Sequence, residues 1–204
     1  MLHYCLEIAP RWPISLSRPL PNTATGKEKR PEKYLLNITY KNLTHMELEK
    51  EMLIHAARIG NIAVLEELIK GDADLNQPDP KGYTPLIIAC YNHQFEAAKL
   101  LIAHGADPNA SDQGGNTALM GAAFKGYADI AELLLANGAA LDLQHGNGGT
   151  ALMFAAMFGR NELVKLLLLH GADSEICDAR GMRAADLALQ QGNIEAVELL
   201  GQPL

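Results

Sequence analysis

The amino-acid sequence predicts an all-α solenoid, an extended curved stack of helix-turn-helix units joined by hairpin fingers. The first observation is a constant period of 33 residues between equivalent positions, as in Thr84, Thr117 and Thr150 and in Gly105, Gly138 and Gly171. The second is a single register through five units without an insertion or deletion, marked by Ala56, Ala89, Ala122, Ala155 and Ala188. A fixed period of this length indicates a stack in which each unit buries its apolar face only against its neighbours.

The first helix of each unit has recognisable start and stop residues. The threonines stand where a hydroxyl can accept a hydrogen bond from an unpaired backbone N–H at the helix N-terminus. Pro85 follows one of them at the first helical position, where a missing N–H costs nothing. Glycine ends most of these helices in a left-handed conformation, at Gly60, Gly126, Gly159 and Gly192. The second unit has His93 there instead, which predicts a strained left-handed residue.

The second helix of each unit is amphipathic. In the third unit Ile130, Leu133 and Leu134 share one face at the i, i+3, i+4 spacing, whereas Asp129 and Glu132 are predicted to face water. Glycine follows this helix too. The chain from that glycine to the next threonine is predicted to form a protruding finger.

The repeated motif resembles the ankyrin repeat. The third unit contains GNTALMGAAFKG at residues 115–126 and IAELLLANGA at residues 130–139, and the second contains GYTPL at residues 82–86 and HGAD at residues 104–107. The resemblance covers residues 47–201. It implies an ankyrin-repeat domain over residues 46–204, with repeats at 47–78, 79–111, 112–144, 145–177 and 178–204.

The first and last units depart from the family pattern. Glu51 and Arg183 replace the capping threonine, and Asp72 replaces a glycine. Terminal repeats need a polar outer face, so we interpret these two units as caps on three central repeats. A further departure concerns the histidine that often follows Thr-Pro-Leu in the family, and apolar contacts are expected to substitute for its hydrogen bonds. Its replacements are Ile87, Met120, Met153 and Asp186.

Residues 1–45 differ from the repeats. They contain five of the ten prolines and carry a net charge of +4, whereas residues 46–204 carry −11, which together give the −7 of the whole chain. This basic, proline-rich segment is predicted to be disordered, or else to precede a true start at Met46. It lacks the features of a secretory signal, and the three cysteines, Cys5, Cys90 and Cys177, form no disulfide framework. The sequence therefore favours a reducing, cytoplasmic location.

The sequence predicts no enzymatic activity, metal or cofactor. The seven histidines do not converge, and His104 and His170 occupy equivalent places at helix ends, where imidazole suits the negative end of the helix dipole. His145 replaces the usual aspartate of a finger and is expected to be exposed to solvent. The acidic repeats disfavour nucleic acid and favour basic or mixed-charge partners. No apolar run is long enough for a membrane span.

The remaining function is recognition of another protein. In ankyrin proteins the two positions after each first-helix alanine pair face the groove, and here these pairs are Arg58 and Ile59, Tyr91 and Asn92, Phe124 and Lys125, Met157 and Phe158, and Gln190 and Gln191. With two finger residues, the predicted partner-binding set is Tyr83, Tyr91, Asn92, Asn116, Phe124, Lys125, Met157 and Phe158. Its apolar members resemble the anchors of a binding hot spot, but they could equally be lateral packing between first helices.

The resemblance thus implies a non-catalytic interaction scaffold that binds a protein through its concave groove and fingers. We expect a monomer, with self-association left open. The alternative is a regulatory or targeting subunit of an enzyme, such as a stress-response enzyme, or a host-directed bacterial effector. That alternative depends on family analogy alone.

Overall fold

A computed structural model describes residues 45–201 of the chain, and these residues form α-helices joined by turns. Within this part, residues 49–201 belong to one compact unit. The first helix begins at His45, one residue before Met46. The predictions for the basic, proline-rich segment fall almost entirely on residues 1–44, outside the described residues.

The helices occur in pairs, one pair to a repeat. In chain order they are α1 (His45–Ile59), α2 (Ile62–Lys70), α3 (Pro85–Tyr91), α4 (Phe95–Ala103), α5 (Ala118–Lys125), α6 (Ala128–Ala136), α7 (Ala151–Met157), α8 (Asn161–Leu169), α9 (Ala184–Gln190) and α10 (Ile194–Leu200). Each pair forms a helix-turn-helix unit.

The helices form two layers, which their contacts with one another define. The first helices contact one another in sequence, α3 with α5, α5 with α7 and α7 with α9. The second helices do the same from α2 through α10, and from α3 onwards each first helix contacts the second helix of its own repeat. This nearest-neighbour order confirms the predicted all-α repeat solenoid.

The predicted threonine caps begin the three central first helices. Thr84, Thr117 and Thr150 each accept a hydrogen bond from the backbone N–H three residues later, at 3.3 to 3.4 Å. The first helix of the last repeat has no threonine at its N-terminus. There the backbone N–H of Arg183 donates to the Asp186 carboxylate at 2.9 Å. The acidic replacement of the family histidine thus supplies the acceptor at this helix start, and the Arg183 guanidinium, which has no acceptor atom, caps no backbone N–H.

Apolar contacts replace the family histidine in the central repeats, as expected. Ile87, Met120 and Met153 are all at least 97% buried between neighbouring helices. Alanines beside them, such as Ala122 and Ala155, have no exposed surface and let successive first helices approach closely.

The second helices bury a slightly different set of residues from the one predicted. Ile130 and Leu134 of α6 are completely buried, but the third fully buried residue is Ala131 rather than Leu133, which is partly exposed. A helix that faces both its own repeat and its neighbours buries a wider arc than one stripe at i, i+3 and i+4. Asp129 and Glu132 are exposed, as predicted.

Residues with a left-handed backbone follow the first helices, and one also follows α2 of the first repeat. His93 has φ of 56° and Asp72 has φ of 58°, at positions where the other repeats have glycine. The predicted strain at His93 is therefore present. It is accompanied by two contacts of the side chain, whose ring lies on Tyr127 with centroids 4.1 Å apart and whose Nε2 meets the Asp129 carboxylate at 2.9 Å.

The fingers are tight turns linked to one another through the backbone. Within the described residues they contain one isolated antiparallel bridge, between Ser111 and Thr117. Neighbouring fingers share backbone hydrogen bonds: Gln113 N to Lys81 O at 3.4 Å, Gly146 N to Gly114 O at 2.7 Å, and Ala179 N to Asn147 O at 2.9 Å. The fingers therefore form a continuous row beside the first helices.

Candidate binding surface

The central first helices end in a row of large apolar side chains. We call Tyr91, Phe124, Met157 and Phe158 the apolar strip. All four are partly exposed, whereas the residues before them in the same helices are buried. The strip is thus the place where the buried first-helix layer reaches solvent.

Neighbouring rings of the apolar strip contact each other side by side. Tyr91 and Phe124 are stacked, with centroids 6.4 Å apart and 8° between the ring planes. Phe124 meets Phe158 edge to face at 4.6 Å. Beneath them lies the buried ring of Phe154, 6.4 Å from Phe158. The same side chains therefore pack laterally between first helices and remain partly exposed to solvent.

Two cationic side chains lie against the apolar strip. The Lys125 ammonium is 4.2 Å from the centroid of the Tyr91 ring, within the range of a cation–π contact. The Arg160 Nε–H donates to the Phe124 carbonyl at 3.2 Å. The stem of Arg160 crosses Gly126, where a Cβ would lie only 2.9 Å from Arg160 Cδ. Arg160 was not predicted, because it belongs to the turn of the next repeat and no repeated pattern marks it.

The other predicted groove residues extend this row at both ends. Arg58 and Ile59 are exposed before the strip, and Gln190 and Gln191 are exposed after it. Asn92 is partly exposed, but its amide donates to the Ile88 carbonyl at 2.8 Å and so completes the end of α3.

Two predicted contact residues are buried instead. Tyr83 is 3% exposed and Asn116 is 5% exposed. These equivalent residues turn inwards at the base of two successive fingers, and the Asn116 amide donates to both oxygens of Asp112. Burial also raises the pKa of the Tyr83 phenol. We correct their assignment accordingly: both support the fingers and neither presents a side chain to a partner.

The fingers present longer polar side chains at their tips. Lys81, Gln113, Asn147 and Arg180 are all exposed. Gln113 also donates to the Pro80 carbonyl of the preceding finger at 2.9 Å, and Arg180 pairs with Asp178 of its own finger at 2.8 Å. The tips are therefore polar, although Gln113 and Arg180 are held by hydrogen bonds within the finger row.

The sequence suggested that His145 is a solvent-exposed substitute for aspartate, but the residue is partly buried. Three fingers have Asp79, Asp112 or Asp178 at this position, and one oxygen of each carboxylate accepts two backbone N–H groups. His145 is partly buried against Phe154, with centroids 5.3 Å apart, and its Nδ1 accepts a hydrogen bond from the Asn147 N–H at 3.1 Å. Only a ring without a proton on Nδ1 can accept that bond.

The neutral state of His145 gives a testable pH dependence. Burial lowers the pKa of His145 and outweighs the carboxylates of Asp112 and Asp178, which raise it. The unfolded chain therefore takes up the proton first, so this residue costs no stability above its unfolded pKa, about 6.5, and lowers stability as the pH falls below that value. In His145→Asn, whose amide oxygen can accept the same bond, we expect a smaller loss of unfolding free energy between about pH 7.5 and 5.

Urea unfolding at both pH values measures this difference. His55→Gln, at an exposed position of α1, is the matched control and should lose as much stability as the parent protein. An unchanged pH dependence in His145→Asn would contradict the assignment of Nδ1 as the acceptor.

Comparison with models of protein families identifies the family of this chain. A family model described as ankyrin repeats, in three copies, matches residues 33–112, 53–145 and 119–203. The chain belongs to the ankyrin repeat family. A comparison with curated proteins finds no match to this ankyrin repeat chain. Ankyrin repeats are in general protein–protein interaction modules and are typically non-catalytic.

Several titratable side chains of the described ankyrin repeats have structural positions. No group of three or more His, Cys, Asp or Glu side chains in residues 45–201 is arranged to hold a metal ion. His104 and His170 each use Nδ1 to donate to a carbonyl four residues earlier, at 2.9 Å, which explains their repeated position. Over the same residues, no helix has the length and apolar character needed to cross a membrane. Cys90 is fully buried, and burial raises the pKa of its thiol.

Charge is unevenly distributed over the ankyrin repeats. The central first helices α3, α5 and α7 contain no acidic residue. The exposed acids of the helical layers lie mainly on the second helices, at Glu66, Glu67, Glu96, Asp129, Glu132, Glu162, Glu195 and Glu198. The first-helix layer of the central repeats is therefore less acidic than the domain as a whole.

Proposed function

We propose that this ankyrin repeat domain is a non-catalytic interaction scaffold that binds a partner protein through the first-helix face and the adjoining finger row. The observation that carries the proposal is the apolar strip, since a contiguous set of partly exposed aromatic and methionine side chains is the usual anchor of a protein interface. The polar finger tips, which precede the N-termini of the same helices, would supply polar contacts to the same partner.

The location and assembly of the scaffold are part of the proposal. We propose a monomer that acts in the cytoplasm. Free thiols at Cys90 and Cys177 support a reducing compartment. Size-exclusion chromatography with light scattering measures the assembly, and a dimer that survives dilution would contradict the monomer.

Substitution of the apolar strip tests the binding function. The bait is the full chain, and the test variant carries Tyr91→Ser, Phe124→Ser and Met157→Ser together. A partner captured from a lysate of the native source should bind this variant at least about 30-fold more weakly, because truncation of hot-spot residues costs about 2 kcal/mol or more. Affinity is then measured by titration with the purified partner.

The control variant replaces three exposed residues of the second helices, Lys99→Ser, Glu132→Ser and Glu162→Ser. It should retain the partner at the parent affinity. Thermal unfolding of both variants establishes that they are folded. If the folded strip variant retains the partner while the second-helix variant loses it, the binding surface lies on the opposite layer and our proposal is wrong.

A further inference from the structure

The surroundings of the apolar strip restrict the chemistry of its partner. Lys125 lies over the ring of Tyr91, and Arg160 binds the backbone carbonyl of Phe124, so two cations adjoin neighbouring residues of the strip. Within the described residues, neither cation forms an ion pair with a carboxylate. Arg160 is exposed and uses Nε for the Phe124 carbonyl, and no hydrogen bond of its two terminal nitrogens occurs within the described residues. A guanidinium can pair with a carboxylate through such nitrogens.

Most acids of the second helices belong to the outer layer, and the two that are nearest in sequence to the cations, Asp129 and Glu162, form no ion pair with either of them. Packed helix axes are roughly 8–10 Å apart, and these acids lie on the exposed side of the second layer. Charges in solvent are screened over about 8 Å at physiological ionic strength. Two cations without a carboxylate partner in residues 45–201 therefore adjoin the strip, although the domain as a whole is negative.

The finger carboxylates do not neutralise the two cations either. Asp112 is 9% exposed and the Asp178 side chain is 8% exposed, and both carboxylates accept backbone N–H groups within their own turns. A carboxylate that is held in this way keeps its charge but directs its oxygens into the turn rather than towards a ligand.

We propose that the apolar strip binds an acidic peptide segment of a partner protein, whose bulky apolar side chains contact the strip and whose carboxylates pair with Lys125 and Arg160. The inference rests on the proposed function and deepens it by naming the partner chemistry. It reverses the expectation from net charge, which favoured basic or mixed-charge partners. A short acidic segment meets only the local cations, whereas a long polyanion such as nucleic acid would also meet the surrounding negative field.

A random 12-residue peptide display library, selected on the full chain, tests this inference. Peptides are retained for analysis only if they fail to bind the Tyr91→Ser, Phe124→Ser, Met157→Ser variant. We expect these strip-dependent peptides to be enriched in Asp and Glu together with Phe, Leu, Trp or Tyr. The best of them should bind Lys125→Glu, Arg160→Glu at least about tenfold more weakly, with the difference shrinking at high salt.

The control for net charge is Lys70→Glu, Lys99→Glu, which makes the same change on the second helices and should leave peptide binding unaltered. Strip-dependent peptides that are basic or uncharged would overturn the inference and leave the scaffold function standing. A 12-nucleotide single strand that binds the strip more tightly than any peptide would overturn it in favour of nucleic acid. If no peptide depends on the strip, the inference fails, and the lysate capture reports on the scaffold function independently.

Discussion

Replacing Phe154 by alanine is expected to lower the free energy of unfolding by about 3 to 5 kcal/mol, the range found for large-to-small substitutions of buried aromatic residues. The Phe154 side chain is 2% exposed and is among the largest fully buried residues of the described repeats. Its ring contacts both the strip residue Phe158 and the finger residue His145. Removing it leaves a cavity below the strip and also removes the surface on which His145 lies.

Phe124→Ala is the matched comparison, because it deletes the same ring at a partly exposed place. Urea unfolding should show a clearly smaller loss of stability for Phe124→Ala than for Phe154→Ala, since less apolar area returns to water. The comparison also separates packing from binding. Equal losses in the two variants would mean that Phe124 is a core residue, and the apolar strip would then lose its role as a partner-binding surface.

Local patterns in the sequence were sufficient to predict the helices and their ends. The caps at Thr84, Thr117 and Thr150 depend on a hydroxyl and an N–H three residues apart, so one short motif determines them. The repeat period then multiplies each local prediction along the stack. The family and the all-α solenoid follow from the same repetition.

Local sequence patterns did not predict which side chains of the fingers and the strip are exposed to solvent. The period shows that Tyr83 and Asn116 are equivalent, but their burial depends on how each finger rests on the next one. Arg160 reaches Phe124 only because it crosses Gly126 of the preceding repeat. His145 looks like a polar surface residue in the sequence, and only the nearby ring of Phe154 and the Asn147 N–H reveal its structural role. Contacts between repeats, rather than within them, decide these features.

Gly82→Ala should disrupt the finger row and lower the unfolding free energy by roughly 2 to 4 kcal/mol. One part of this loss is the cost of alanine in a left-handed conformation, about 1–2 kcal/mol, because Gly82 has φ of 87°. The other part is steric. A Cβ at residue 82 would lie 2.5 Å from the backbone nitrogen of Gln113, so the first two fingers must separate. Separation breaks the Gln113 N–H to Lys81 carbonyl bond, and a hydrogen bond of this kind contributes about 1 kcal/mol.

Gly105→Ala isolates the conformational part. Gly105 has φ of 94°, but a Cβ there would meet no heavy atom within 4 Å. Urea unfolding should therefore give a smaller loss for Gly105→Ala, and the difference between the two variants measures the contact between fingers. The same close approach recurs at Gly148, where a Cβ would lie 2.9 Å from Ala179 N. Equal losses for Gly82→Ala and Gly105→Ala would show that the contact between the fingers does not contribute to stability. Fingers that move independently could not provide the fixed polar surface that the binding proposal requires.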